Sequence, residues 1–377
     1  GAKVIKIEPL PAAEAKLGQS PVGEEGRRQA AYQTFDRNKR SLGLNLKSED
    51  GRRIFCQLAE KADVITEAFR PGVAERLDID YQTIAKINPR IVYCSISGYG
   101  QDGPYRDLPG HDTNYISIGG VLDLIGEADR PPVMPLNLLG DLSSGPMSAA
   151  IGILSSLIAR DKTGKGQYID ISLTDTIVSL LSMIAPDYFQ YGVKLKRGES
   201  VGNGAYPYMG VYETKDGKFI SLGCLEPWGW ENLCRAIGRE DFVPFHLEFD
   251  HFLHPPQGEQ WGEISSYLKQ VFLTKTRDEW FEILSKRDVH IAKVNSLDEV
   301  FTDPHVLHRK MVVEVEHPTE GKIKQVGIAI KLSDTPGEIR SLGPILGEQT
   351  KEVLIELGYA DSEITELAKA GVIYLSS

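Results

Sequence analysis

Runs rich in Val and Ile alternate with helical patterns through the first half of the chain. Strand signals fall at 4–8, 41–46, 64–69, 91–97 and 168–173, several of them apolar on both faces as buried parallel strands are. Between them, Ser48 is placed to cap a helix over 51–62 that carries Ile54, Phe55, Leu58 and Ala59 on one face. Further helices are predicted over 81–87, 114–125 and 144–159. The last is apolar nearly all round and is expected at the centre of the fold. Strand–helix alternation of this kind predicts an α/β fold with a doubly wound parallel sheet.

The pattern changes in the second half. Strand signals at 211–214 and 218–221 flank Lys215-Asp216-Gly217 and predict a hairpin. Amphipathic helices follow at 230–237, 264–272 and 276–285, so that a smaller α+β unit is expected over about 205–300. A second hairpin, 312–316 with 322–328, turns at His317-Pro318 and Gly321. Two short helices, 348–357 and 362–370, close the chain and are expected to return to the first unit.

Composition narrows the class. The 377 residues are 41% hydrophobic and 25% charged, as in a soluble globular protein of two or three domains. A net charge of −11 argues against nucleic acid or an anionic membrane as partner. An anionic ligand must then be met by a local basic patch. Cys56, Cys94, Cys224 and Cys234 form no CxxC pair, which predicts reduced thiols in a cytoplasmic protein. The most apolar stretch, 147–159, is too short to span a bilayer and reads as a buried helix. A strand signal so close to Gly1 suggests that the chain opens inside a longer protein.

Neither GxGxxG nor a Walker loop follows a strand. The loop 98–110 (GYGQDGPYRDLPG) lies beyond the strand 91–97, where open α/β sheets place ligands. His111-Asp112 then opens a helix. The histidine is either structural or a general base, since a helix start favours the neutral ring that a base needs. Asp141, closing Asn137-Leu138-Leu139-Gly140-Asp141, is a candidate helix cap or catalytic acid. Asp170 and Asp175 flank a strand-to-helix junction, and Asp175 could cap the helix or act as a nucleophile. Glu226 ends the small hairpin and is either functional or a solvated loop acid. Basic residues gather early, and 66–72 (TEAFRPG) runs from a strand into a turn that could seat a phosphate; scattered surface arginines are the alternative. The segment 245–256 carries His246, His251 and His254, a conceivable metal site or an irregular surface segment.

Several motifs in register, NKRSLGLNLKSEDG, ITEAFRPGVAERL, YCSISGYGQDGP, GHDTNY, PLNLLGD, TGKGQYIDISLTD and LGCLEP, resemble the family III CoA-transferases. GHDTNY, PLNLLGD and LGCLEP look most like the α-methylacyl-CoA racemase branch. The resemblance implies that His111 and Asp141, thirty residues apart, are two acid/bases on opposite faces of a substrate α-carbon. Asp112 and Glu226 match residues that orient the histidine and complete its hydrogen bonding. The helix start near Asp112 would steady the enolate oxygen. The transferase branch uses instead an aspartate that becomes acylated, matched here by Asp175; Thr176 departs from the Gly often found in racemases. CoA contacts would fall on Lys47, Ala68, Phe69, Arg70, Arg76, Gly110, Asn114, Tyr115 and Asn137. Tyr208, Met209 and Trp228 are candidates for the acyl pocket.

The resemblance further implies a Rossmann-like large domain over 1–185, a linker over 186–204, the small domain over 205–300, a linker and hairpin over 301–330, and C-terminal helices over 331–377 that rejoin the large domain. It implies two interlocked subunits, a further strand and helix ahead of Gly1, an acyl-CoA substrate, and no cofactor beyond CoA itself. Three readings follow: a racemase using His111 and Asp141, a CoA-transferase using Asp175, and a non-catalytic acyl-CoA-binding subunit of a heteromer.

Overall fold

The computed structural model describes residues 1–11, 23–32, 34–246 and 258–376. It is a mixed α/β fold with parallel pairing in the first half. Strands β1 (Val4–Glu8) and β2 (Lys39–Leu44) pair in parallel. Strands β3 (Val64–Glu67), β4 (Val92–Ser97) and β5 (Gln167–Ser172) make a separate all-parallel sheet in that order. Strands β6 (Met209–Glu213), β7 (Phe219–Gly223) and β8 (Ile291–Lys293) form an antiparallel sheet. The hairpin of β9 (Val312–His317) and β10 (Gly321–Val326) stands by itself. The last strand, β11 (Ile373–Tyr374), returns to pair antiparallel with β2. The strands expected in one open sheet are thus divided between two three-stranded sheets.

Local chemistry accounts for the element ends. The Ser48 hydroxyl accepts the Gly51 amide at 3.0 Å and starts the helix Glu49–Lys61, with Glu49 and Asp50 in the first turn and Lys61 in the last. Asp80 caps Tyr81–Ile87 through the Gln82 and Thr83 amides. The buried faces feed two cores with no residue in common. One gathers Leu42, Ile54, Ile84 and Tyr93 with Leu354 and Ile373 from the chain's end. The other gathers Tyr208, Trp230, Leu268 and Phe272. Tyr208 therefore belongs to a core, 1% exposed and edge-on to Trp230.

The apolar helix departs most from expectation. It spans Gly145–Thr163, yet only Gly145, Ala149 and Ser156 are buried, while Met147, Ile151, Leu154 and Ile158 are exposed. One face meets β5, where Gly152 lets the helix approach Ile169. The continuous helical run Gly140–Thr163 has 24 residues, enough by length and composition alone to cross a bilayer. Its far end is tied to the sheet, however, by Arg160, whose guanidinium donates to the Asp63 and Arg90 carbonyls. Hydrophobicity called for cover; it did not say what provides it.

His246 lies against Tyr208, with ring centroids 4.6 Å apart, and its Nε2 is 3.1 Å from the Cys224 carbonyl oxygen. His251 and His254 lie outside the described residues, among which no group of three or more metal-ligating side chains gathers.

All four cysteines are free. Burial pushes the Cys94 and Cys224 thiols up to about 11 and Cys234 to about 12. Cys56 alone is only half-buried. A disulfide-exchange reagent should therefore label one thiol rapidly in the native protein, and Cys56→Ser should remove that phase. Two or more fast thiols would contradict this packing.

Candidate active site

His111 holds the N-cap of the helix Asp112–Ile118 in extended backbone. The Asn114 side-chain oxygen accepts the His111 amide at 3.0 Å, closing the helix start, and the imidazole is exposed. Asp112 is buried, 2% exposed. Its Oδ2 accepts the Gly140 amide at 2.8 Å and the Asp141 amide at 2.9 Å, while Oδ1 is buried without a hydrogen-bond partner among the described residues. These bonds bring two distant segments together. His111, Asp112 and Asp141 share a recess of about 350 Å³ with Thr113, Met134, Leu136 and Asn137.

Asp141 is not a helix cap. It lies in a π-helical turn, Gly140–Ser144, and Ser144 holds the cap position of the α-helix that follows. The Ser144 amide reaches back to the Leu139 carbonyl at 2.8 Å. Such turns recur at functional sites because they re-aim side chains. Burial pushes the Asp141 carboxyl above its usual range, and the Asp112 charge adds to this. A hydrogen bond from the Asp112 backbone and the nearby His111 oppose it.

Asp175 lies in the first turn of the helix Leu173–Leu180, exposed and outside the recess lining. The cap is Ser172, whose hydroxyl accepts the Asp175 amide at 3.1 Å. The next residue, Thr176, is buried with its Oγ1 3.0 Å from Ser144 Oγ, which ties this helix to the π-turn. Asp170 accepts the Gln101 amide at 3.0 Å and so fastens the glycine-rich loop; burial pushes its carboxyl up. Glu226 heads the helix Pro227–Ala236, exposed, with Oε2 3.6 Å from His290 Nε2. Within one chain it does not line the recess.

Tyr115 braces the loop before the helix. Its hydroxyl donates to the Gly110 carbonyl and its ring meets Tyr99 edge-on. Gly98 leaves that ring its place, since a Cβ there would stand 2.2 Å from Tyr115 Cε1. At the end of β3, Glu67 Oε2 accepts the Phe69 amide at 2.7 Å and shapes the turn that exposes Ala68, Phe69 and Arg70. Gly72 has φ 82°, and a Cβ on it would lie 3.3 Å from Arg76 Nη1 and 3.8 Å from Arg106 Nη2. Two guanidiniums thus close over this turn. Arg106 was not singled out in the sequence, although it sits in the 98–110 loop. Its Nε is buried without a hydrogen-bond partner among the described residues. Lys47 is exposed ahead of the helix Glu49–Lys61. Met134 was not singled out in the sequence, whereas Thr113 falls in the 110–115 stretch expected to contact CoA and Leu136 in the PLNLLGD motif, neither with a role of its own.

The chain resembles known proteins in sequence and in fold. The model of the CoA-transferase family III matches residues 1–350. Human α-methylacyl-CoA racemase is 32% identical over 338 residues, 89% of this chain and 85% of its own. The succinyl-CoA–L-malate CoA-transferase beta subunit of Chloroflexus aurantiacus is 33% identical over 387 residues, 99% of this chain and 92% of its own. The crystal structure of a CAIB/BAIF family protein from Brucella suis superposes with a TM-score of 0.77 at 27% identity, covering 95% of this chain and 92% of that one. Racemase and transferase names thus occur at similar identity, and on this match the chain belongs to the CoA-transferase family III.

Proposed function

We propose that the protein epimerises 2-methylacyl-CoA thioesters by moving a proton between His111 and Asp141. The observation that carries this reading is the single recess holding both groups, drawn together through Asp112. An α-proton next to a thioester is weakly acidic and needs a positioned base. In one direction the His111 imidazole takes the α-proton and the Asp141 carboxylic acid returns one to the opposite face. In the other, Asp141 takes the proton and the histidinium returns it. A carboxyl held above its usual range suits this exchange of roles. The guanidiniums around Gly72 would meet the phosphates of CoA. The chemistry needs no cofactor beyond CoA, and the free thiols suit a cytoplasmic protein.

The alternative is CoA transfer between carboxylic acids, with Asp175 displacing CoA from a thioester as a mixed anhydride and CoA then returning to give an aspartyl thioester. What favours it is the presence of Asp175 at the mouth of β5 and transferases at similar identity. Incubation of one 2-methylacyl-CoA enantiomer in heavy water, with no acceptor acid, separates the two. Racemisation gives deuterium at the α-carbon and both enantiomers. His111→Asn and Asp141→Asn should each lower interconversion by about a hundred- to ten-thousandfold. No exchange in the wild type, together with an aspartyl hydroxamate at Asp175 when hydroxylamine is added to enzyme and donor acyl-CoA, would reverse the choice. Either activity in the chain purified alone disposes of a purely non-catalytic role.

The exposed apolar helix Gly145–Thr163 and its neighbours Leu180, Met183 and Phe189 support a second proposal, that two copies of the chain cover these faces in a dimer. In such a pair the small domain of one copy would bring Glu226 to the recess of the other. Sedimentation should give twice the chain mass, and Ile151→Glu with Leu154→Glu should shift it to the monomer. A monomeric wild type would refute the pairing.

The raised Asp141 carboxyl also sets a stability trend. The folded state holds this proton more tightly than the unfolded state, so its contribution is full below the ordinary carboxyl range and lost as pH rises through the folded value. Asp141→Asn should therefore raise the melting temperature at neutral pH, and the gain should vanish in acid. A constant gain across pH would place its cause elsewhere.

A further inference from the structure

The residues that border the recess beside Asp141 belong to a long connection, and one side chain from another part of the chain holds that connection in place. Arg197 lies in the segment leading to the small domain. Its Nε donates to the Glu127 carbonyl at 3.3 Å and to the Arg130 carbonyl at 3.1 Å. Its Nη1 donates to the Asp123 carbonyl at 2.5 Å, and its Nη2 to the Arg130 carbonyl at 2.7 Å. The Asp123 carboxylate, at 3.1 Å from Nη1, is largely exposed and adds little. The guanidinium is thus a fork that satisfies three backbone carbonyls of one loop, a geometry that a lysine cannot reproduce.

The fit is tight on both sides. Gly126 has φ 127°, and a Cβ on it would come within 3.0 Å of Arg197 Cδ and 3.3 Å of Val133 Cγ2. Gly198 has φ 71°, and a Cβ on it would lie 2.4 Å from the Ala128 amide nitrogen. The Asn203 side chain adds a bond to the Leu124 carbonyl at 3.3 Å. The loop closes on itself where the Val133 amide meets the Ile125 carbonyl at 3.0 Å. The next residues are Met134, Leu136 and Asn137, which line the recess, and Met134 Sδ lies 3.6 Å from Thr113 Oγ1.

We propose that Arg197 is a positioning residue for acyl recognition: by locking the 123–133 loop to the connector, it sets where Met134 and Leu136 stand against the substrate's acyl group. The proposal rests on the reading that this recess takes the acyl part of an acyl-CoA. It does not depend on which reaction follows. The link also gives the small domain a mechanical hold on the acyl wall, because residues 197–203 lead directly into β6.

The test compares binding of free CoA with that of a long-chain 2-methylacyl-CoA, by calorimetry on the full chain. Wild type should bind the acyl-CoA more tightly. In Arg197→Lys that preference should fall by one or two methylenes' worth of contact, about four- to fifteenfold. Free CoA should change by no more than about twofold, as expected for a site distant from the substitution. Gly126→Ala leaves Arg197 intact but pushes the loop away, and should lower the preference in the same direction. An unchanged preference in both variants, a parallel weakening of CoA and acyl-CoA, or a wild type that ignores the acyl group would each overturn the proposal. Failure of the racemase reading would show elsewhere, as absent α-proton exchange in a wild type whose acyl preference is intact.

Discussion

One buried carboxylate organises the site. Asp112 gives a single oxygen to two amides, those of Gly140 and Asp141, and the bonds cross between segments that the chain keeps 28 and 29 residues apart. Hydrogen bonds to a charged group are stronger than neutral ones, and leaving either amide buried without its partner would cost about 1–3 kcal/mol. The bonds therefore hold the π-turn closed against the helix that carries His111. Small residues permit it. A Cβ on Gly140 would stand 3.3 Å from Asp112 Oδ2, and one on Gly145 would run into Leu173 Cδ2 at 2.1 Å. The Ser144–Thr176 contact then carries the same constraint to the helix holding Asp175. The two candidate chemistries share one scaffold, and disturbing Asp112 would disturb both.

Sequence patterns reached some of this and missed the rest for identifiable reasons. Ser48 caps its helix through a bond spanning three residues, so local spacing is enough to find it. His111 and Asp112 were visible for the same reason, as a loop followed by a helix start. Asp141 was visible as a residue but not in its geometry, because the π-turn depends on a carboxylate from elsewhere in the chain. Arg106 and Arg197 act across distances that no periodicity reports: Arg197 reaches carbonyls 67 to 74 residues away. The apolar helix shows a different limit. Its composition demanded burial and was read as the centre of the fold, whereas most of its surface is open in the single chain. Tyr208 erred the other way, proposed for a pocket and found in a core.

The acidic chain gathers cations locally where the proposed anionic ligand would bind. A net charge of −11 disfavours polyanions over long distances, but screening confines that field to about 10 Å at ordinary salt. Within that range the Gly72 turn has Arg70, Arg76 and Arg106, and the left-handed glycine allows two guanidiniums to close over bare backbone. Arg106 Nε does meet one carboxylate, that of Asp107 at 3.8 Å, but Asp107 is largely exposed and the pair offsets little of the cationic charge.

The choice between racemisation and transfer turns on two bonded atoms. The thioester carbonyl carbon and the α-carbon are neighbours, so one CoA site delivers both to the same region. Transfer needs an ionised carboxylate directed at the carbonyl carbon. Racemisation needs an acid and a base on opposite sides of the α-carbon. Burial and the Asp112 charge keep the proton on Asp141 to higher pH than usual, so more of it is in the donor form at a given pH. The carboxylate available for attack, Asp175, stands outside the recess where His111 and Asp141 meet. Within one chain the recess gathers His111 and Asp141, as the proposed proton transfer requires, and the nucleophile of the alternative would have to reach the thioester from outside its lining.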